Sequence, residues 1–254
     1  MNPTGFLTLF HKEIMRFGKV WGQTLGAPVL TALLYQLIFS HAVGRHTEAL
    51  PGVSYHAFLI PGLAMMSMTQ NAFANTSSSL MQSRITGNLV YILLAPLSSA
   101  TLFGAYTGAA VVRGLAVGLG VLLATAWFGL PLPQHPFFAL AFALCGCLFM
   151  ACLGLLAGIW AEKFDQLAVF QNFLIMPLTF LSGVFYSVHS LPPFWQAISH
   201  ANPVFYLIDG FRYGFFGVAD NSPWLSLGVV AAFTAITAAF TFGVLHSGWK
   251  LRNN

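Results

Sequence analysis

Arg113 is the residue whose chemistry most needs explaining. No Asp, Glu, Lys or Arg occurs at 85–112 or 114–161, so this guanidinium stands alone in a long apolar stretch. A cation near the centre of a bilayer costs at least about 2.5 kcal/mol on insertion scales. It needs a carboxylate, a water-filled cavity or a lipid phosphate, and Asp209, Glu162 and Asp165 are the acidic candidates. An internal ion pair or hydrogen-bond hub and a contact with transported substrate both fit. A second polar set lies upstream. Asn71, Asn75, Ser78, Ser79 and Gln82 recur at helical spacing, with Gln70 beside them, and so share one face. Amides in hydrocarbon are costly unless partnered, which makes that face either glue between helices or the wall of a polar conduit.

The other reactive side chains form no constellation. Cys145, Cys147 and Cys152 lie in one apolar run without zinc-site spacing, and read as small core residues. The histidines are scattered with no HExxH pattern or other ligand cluster, so no metal site is expected. No nucleophile–base set supports an intramembrane enzyme. G-x4-G-K-[ST] is also missing: Gly18-Lys19 has Glu13 where the first glycine belongs and Val20 afterwards. Without a loop to cradle phosphates this chain hydrolyses no ATP by P-loop chemistry. No bound cofactor is expected, and any ATP and Mg²⁺ belong to a partner.

The elements that carry these residues follow from composition. Of 254 residues, 57% are apolar and only 6% charged, against about 25% charged in soluble domains. Long charge-free runs cover 20–44, 49–83, 85–112, 114–161, 166–208 and 221–249, and one transmembrane helix needs about 20 apolar residues. Cutting at turn signals, including Gly129 to Pro136 with Pro131, predicts six spans at 22–43, 55–78, 99–128, 137–160, 167–188 and 223–246. Lys/Arg placement sets the orientation. With both termini cytoplasmic, Lys12, Arg16, Lys19, Arg84, Lys163, Lys250 and Arg252 fall inside, and Arg45 and Arg212 outside. The first span reads as an uncleaved anchor, not a signal peptide. The net charge of +4 reflects this bias and the anionic inner leaflet, and no basic run points to nucleic acid.

Three segments depart from plain spans. Phe6, Phe10, Ile14, Phe17 and Trp21 form an apolar stripe opposite Lys12, Arg16 and Lys19. Residues 3–21 are therefore expected to lie as an interfacial helix, basic side toward phosphates or a partner. Residues 80–96, with Arg84, Leu89, Ile92, Leu93 and Pro96, form a mixed cytoplasmic segment with a short apolar helix, and such a helix leaves a surface for a partner protein. After Ser182-Gly183, the stretch 189–217 is broken at Pro192-Pro193 and Asn202-Pro203 and split by Asp209 and Arg212, which predicts two re-entrant half-helices dipping into the outer leaflet. Phe194, Trp195, Phe205, Tyr206, Phe211, Tyr213, Phe215 and Phe216 are expected to form an aromatic collar there. Glycine pairs at 104/108, 114/118, 154/158 and 210/214 are read mainly as internal helix packing. The expectation is an all-α polytopic membrane protein, a single domain over 1–254.

On these pieces the chain resembles the permease subunits of ABC-2-type transporters, in the branch of YadH-like and nodulation NodJ permeases. The signature runs from Ile175 to Arg212, through Leu181-Ser182, Leu191-Pro192 and Pro203-x2-Tyr206-x5-Arg212; Pro61-Gly62-Leu63, Asn71 to Asn75, Leu94-Ala95-Pro96 and Arg113-Gly114-Leu115 also match. The resemblance implies six transmembrane helices, an interfacial N-terminal helix, a coupling helix at 80–96 and paired re-entrant helices. It also implies a bacterial inner-membrane exporter working as a pair of permease copies, a homodimer, with separate ATP-binding subunits on the cytoplasmic side. Relatives often carry acidic residues where this chain has Val90 and Tyr91, so its contact with the ATPase is expected to be more apolar. The competing class is an ATP-independent secondary carrier or channel, but such carriers usually place several ionisable groups in their spans, and here Arg113 is the clear one.

Overall fold

Which helices are buried and which stay on the surface sets the architecture. The computed structural model describes residues 3–43, 48–130 and 132–250, and the expectations placed on Arg45, Pro131 and Arg252 lie outside the described residues. In chain order the helices are α1 (Pro3–Gly18), α2 (Ala27–Val43), α3 (Tyr55–Ile85), α4 (Asn88–Leu94), α5 (Ser99–Thr125), α6 (Pro136–Trp160), α7 (Phe164–Phe170), α8 (Met176–Phe180), α9 (Pro193–Ala201), α10 (Pro203–Phe216) and α11 (Pro223–Ser247). A π-helical turn, Gly22–Gly26, leads into α2, and another, Gln171–Ile175, joins α7 to α8. Between α2 and α3, strands β1 (Glu48–Leu50) and β2 (Val53–Ser54) pair antiparallel around Gly52, whose φ of 75° suits the turn.

The axis of the bundle is α3. Its 31 residues, about 46 Å at 1.5 Å each, pack against α2, α5, α6 and α10. Small residues on the neighbours permit this approach. A Cβ at Gly114 would stand 3.0 Å from the Met68 carbonyl oxygen, and one at Gly158 3.1 Å from that of Ser77. The other glycine pairs are also spent inside the chain: Gly104 and Gly108 face Phe6 and Phe10, and Gly210 and Gly214 face Phe142 and Ala139.

Among the described residues, four helical runs are long and apolar enough to cross a membrane: Gly22–Ala42, Ser99–Phe128, Pro136–Trp160 and Pro223–Ser247. The axial helix α3 is long but polar, and its neighbours cover it. The helix expected at 167–188 instead ends at Phe180, where the chain turns through Gly183 (φ 77°). The helical run 164–180 is about 25 Å long, short of a bilayer's roughly 30 Å core.

The two ends differ. A cluster of Leu9, Leu80, Leu89, Leu102, Ile159 and Leu245 gathers α4, the start of α5 and the last turns of α3, α6 and α11 at one end. The other end brings the β-hairpin beside Gly129, Gln134, Phe216 and Val218.

Candidate functional site

The two polar sets meet. Helical side chains lean toward the helix N-terminus, and Arg113, near the middle of α5, reaches back onto α3. Its Nη2 donates to Asn71 Oδ1 at 3.0 Å and its Nη1 to Asn75 Oδ1 at 3.4 Å. The acidic candidates are engaged elsewhere or remote: Asp209 accepts the amides of Asp220 and Asn221, Glu162 pairs with Lys250 at 3.3 Å, and Asp165 is exposed in the first turn of α7. Asparagine amides, not a carboxylate, hold the cation.

A third helix enters the same cluster. Arg16 of α1 donates from Nη2 to Asn75 Oδ1 at 2.9 Å and to the Asn75 carbonyl at 2.8 Å, and from Nη1 to Ser78 Oγ at 3.3 Å. Its Nε donates to Glu13 Oε2 at 3.1 Å, which also accepts from Ser79 Oγ at 2.7 Å. Lys12 bonds the other Glu13 oxygen at 3.2 Å. Glu13 is fully buried. This corrects the expected posture of the N-terminal helix. Its basic side is not uniformly turned outward: Lys12 and Lys19 are exposed, but Arg16 turns into the bundle. Leu9 and Glu13 form the buried face, and Trp21, placed in the apolar stripe, is 70% exposed. Docking on the Gly104/Gly108 groove partly buries Phe6 and Phe10 and gives Arg16 and Glu13 partners together.

Arg84 and α4 occupy the end of the bundle that holds the Leu89 cluster. Arg84 donates to the Ala161 carbonyl, to the Ile159 carbonyl at 3.1 Å and to the Lys250 carbonyl at 3.2 Å. It thus neutralises unpaired carbonyls at the C-terminus of α6 rather than standing free for a partner. Burial pulls its pKa below the usual arginine value, and Glu162 opposes that shift. On α4, Leu89 is buried and Ile92 and Leu93 pack partly against the same cluster. The face turned away from the protein is Val90, Tyr91 and Leu94, which are 54%, 74% and 77% exposed. Pro96 ends the segment, with Ala95 in the extended region as a residue before proline prefers. Beside it Thr8, Leu9 and Lys12 of α1 and Tyr91, Ile92 and Pro96 line a groove of about 550 Å³.

A helical bundle with a short apolar helix displayed at one end narrows the class, and the comparisons decide it. The ABC-2 type transporter family model matches residues 4–216. The chain is 40% identical over 248 residues to the inner membrane transport permease YadH of Escherichia coli (strain K12), covering 97% of this chain and 96% of that one. It is also 25% identical over 254 residues to nodulation protein J of Neorhizobium galegae, covering 96% and 95% of the two chains. The chain belongs to the ABC-2 type transporter family.

In this ABC-2 chain the 189–217 region is more deeply packed than its aromatic content implied. Asn202 begins α10 by accepting the Val204 amide at 3.0 Å and ties it to α8 by donating to the Leu178 carbonyl at 2.6 Å. Pro203 then stands at the helix start, where its missing N–H costs nothing. Tyr206 donates to the His200 carbonyl at 2.9 Å, binding α10 back to α9. Arg212, counted as an outer charge, is fully buried: it donates to the Gly183 carbonyl at 2.9 Å and lies 3.6 Å above the Phe58 ring. Gly62 keeps the space for it, since a Cβ there would meet Arg212 at 3.2 Å. Phe205, Phe211, Phe215 and Phe216 are core residues rather than a collar, leaving Phe194 and Trp195 exposed. The reason is that α10 runs between α3, α6 and α11, so all of its sides meet protein.

Sequence reasoning missed Glu13 as a site residue. The available signal was its place three residues before Arg16 inside the Phe6–Phe17 stripe, where an acidic group has no apolar role.

Proposed function

We propose that this chain is the transmembrane subunit of an ATP-driven exporter of the bacterial inner membrane, working as a homodimer with a separate ATP-binding subunit. The observation that carries the reading is the exposed apolar face of α4, Val90, Tyr91 and Leu94, beside the α1–α4 groove. A soluble partner gains by covering such a face, and the chain has no P-loop of its own. The coupling site is then the outer side of α4 with Lys12 of α1. Leu89, Ile92, Leu93 and Arg84 support it from behind, so these act on docking through the shape of the segment. Lys19 faces the same aqueous side for anionic lipid headgroups.

The chain crosses the bilayer six times in this reading, using α2, α3, α5, α6, the 164–180 run and α11. The polar α3 is tolerated because α2, α5, α6 and α10 shield it. The short fifth crossing is completed by α9 and α10 as re-entrant half-helices. Charge supports cytoplasmic termini. Lys12, Lys163 and Lys250 are positioned with α4, whereas among the described residues the hairpin, 126–136, 183–192 and 217–223 carry no Lys or Arg. ATP and Mg²⁺ bind the partner, and this chain needs no cofactor.

Copurification tests the reading. A tagged permease expressed with its genomic neighbourhood is expected to bring down an ATP-binding subunit, and vesicle transport is expected to stop without nucleotide. Transport that continues with neither would make the chain a secondary carrier or channel.

A further inference from the structure

The cluster at the α1–α3–α5 contact is short of acceptors. Lys12 and Arg16 share one carboxylate, Glu13. Arg113 has no acidic partner among the described ion pairs, and instead competes with Arg16 for the single oxygen Asn75 Oδ1. Arg113 Nε and Asn75 Nδ2 are both buried without a hydrogen-bond partner. Two guanidiniums converging on one amide oxygen repel each other, and a buried donor without an acceptor costs about 1–3 kcal/mol. The arrangement is incomplete as a purely structural hub.

It also has an open side. From Asn71 to Leu80, α3 is buried except for Ala74 and Ser78, and these continue a partly open stripe that runs from Gln70 to Gln82. Three of its four residues are polar, the opposite of what contact with acyl chains selects. Arg16 (22% exposed) and Arg113 border the same stripe. Next to them the outward face of α5 is apolar: Val112, Leu119 and Leu123 are 42%, 57% and 64% exposed.

We propose that this juxtaposition is a recognition site for an amphiphile whose phosphate headgroup carries a net negative charge. The phosphate oxygens accept from the guanidiniums of Arg113 and Arg16, with Gln82 as a further donor, while the hydrocarbon chains lie along α5. Guanidinium–phosphate pairing suits this geometry because it is multidentate and charge-assisted. Glu13 remains paired with Lys12 and Arg16, which limits its repulsion of the ligand. The proposal rests on the export reading and names a substrate class for it: anionic, phosphate-headed and lipid-like.

The full-length permease in phosphatidylcholine nanodiscs, doped with phosphatidylglycerol or left undoped, is examined by native mass spectrometry. Wild type is expected to retain phosphatidylglycerol over phosphatidylcholine. Arg113→Gln is expected to lose that preference about tenfold, the loss of one charge-assisted pair, whereas Arg113→Lys keeps the part that charge alone supplies and controls for folding. Lys163→Gln, which alters charge away from the cluster, is expected to keep it fully. Equal retention of both lipids, or an unchanged preference in Arg113→Gln, overturns the site. Glycerol phosphate displacing the lipid supports phosphate as the recognised group, while retention of glycerol phosphate as strong as that of the lipid overturns the amphiphile. The ATP-binding subunit is scored in the same samples. Its absence alongside Arg113-dependent lipid retention would fail the export reading and leave the site standing.

Discussion

Arg113 is held by amides because its helix aims it toward α3, and no carboxylate lies along that path. Replacing it with Leu removes two hydrogen bonds while filling part of the space with apolar atoms. Arg113→Leu is therefore expected to express normally but lose transport by about tenfold or more, as loss of a charge-assisted contact predicts. Wild-type flux in vesicles would count against a pathway role. Glu13 works differently, because it compensates Arg16 and Lys12 and accepts from Ser79. Breaking a buried ion pair by deleting one partner costs about 3–5 kcal/mol. Glu13→Ala is expected to lower the unfolding midpoint in detergent clearly, and an unchanged midpoint would deny the cluster a structural share. Asn71, Asn75 and Arg113 were each legible from polarity in an apolar run. That they touch was not, since it depends on the rotation of α5 against α3.

At the scale of elements, α4 illustrates both what periodicity conveys and what it omits. Its existence follows from the apolar run and from Pro96, but its facing follows from the Leu9–Leu80–Leu102 cluster, which selects Leu89 as the inward residue. Tyr91→Asp or Leu94→Asp is expected to weaken ATPase copurification about tenfold while leaving insertion intact, because each places a charge on an exposed docking face. Leu89→Asp is expected to lower the amount of folded protein first, since it puts an unpaired charge in the cluster. If Leu89→Asp spares folding and abolishes binding, the assigned facing of α4 is wrong. The N-terminal helix carried the opposite lesson. Its amphipathic stripe was readable, yet the groove at Gly104 and Gly108 that receives Phe6 and Phe10 lies about a hundred residues away in the chain. Arg212 likewise looked like a surface charge because its partners, Gly183 and Phe58, are remote in sequence.

For the whole molecule, charge asymmetry between the two ends supports the proposed orientation, and the largely exposed α2 and α11 leave apolar surface for lipid or a second copy. Cysteines introduced at Lys163 and at Leu132, which is 88% exposed, in a background lacking Cys145, Cys147 and Cys152, are expected to react with impermeant maleimide from opposite sides. Lys163→Cys should label only from the cytoplasm, and labelling of both from one side would refute the topology. The helical character and long apolar runs were legible from composition, because a bilayer demands them. The number of clean crossings was less so, because α3 gains its place by burial rather than apolarity and the 164–180 run stops short at Phe180, before the turn at Gly183. A separate ATPase docked on the exposed face of α4, as proposed, lies within reach of Tyr91. Site-specific photocrosslinking from position 91 reads that contact, with position 127 at the opposite end as control. Capture of an ATP-binding subunit from Tyr91 and none from Trp127 is the predicted result; capture from neither, or from both alike, would contradict it.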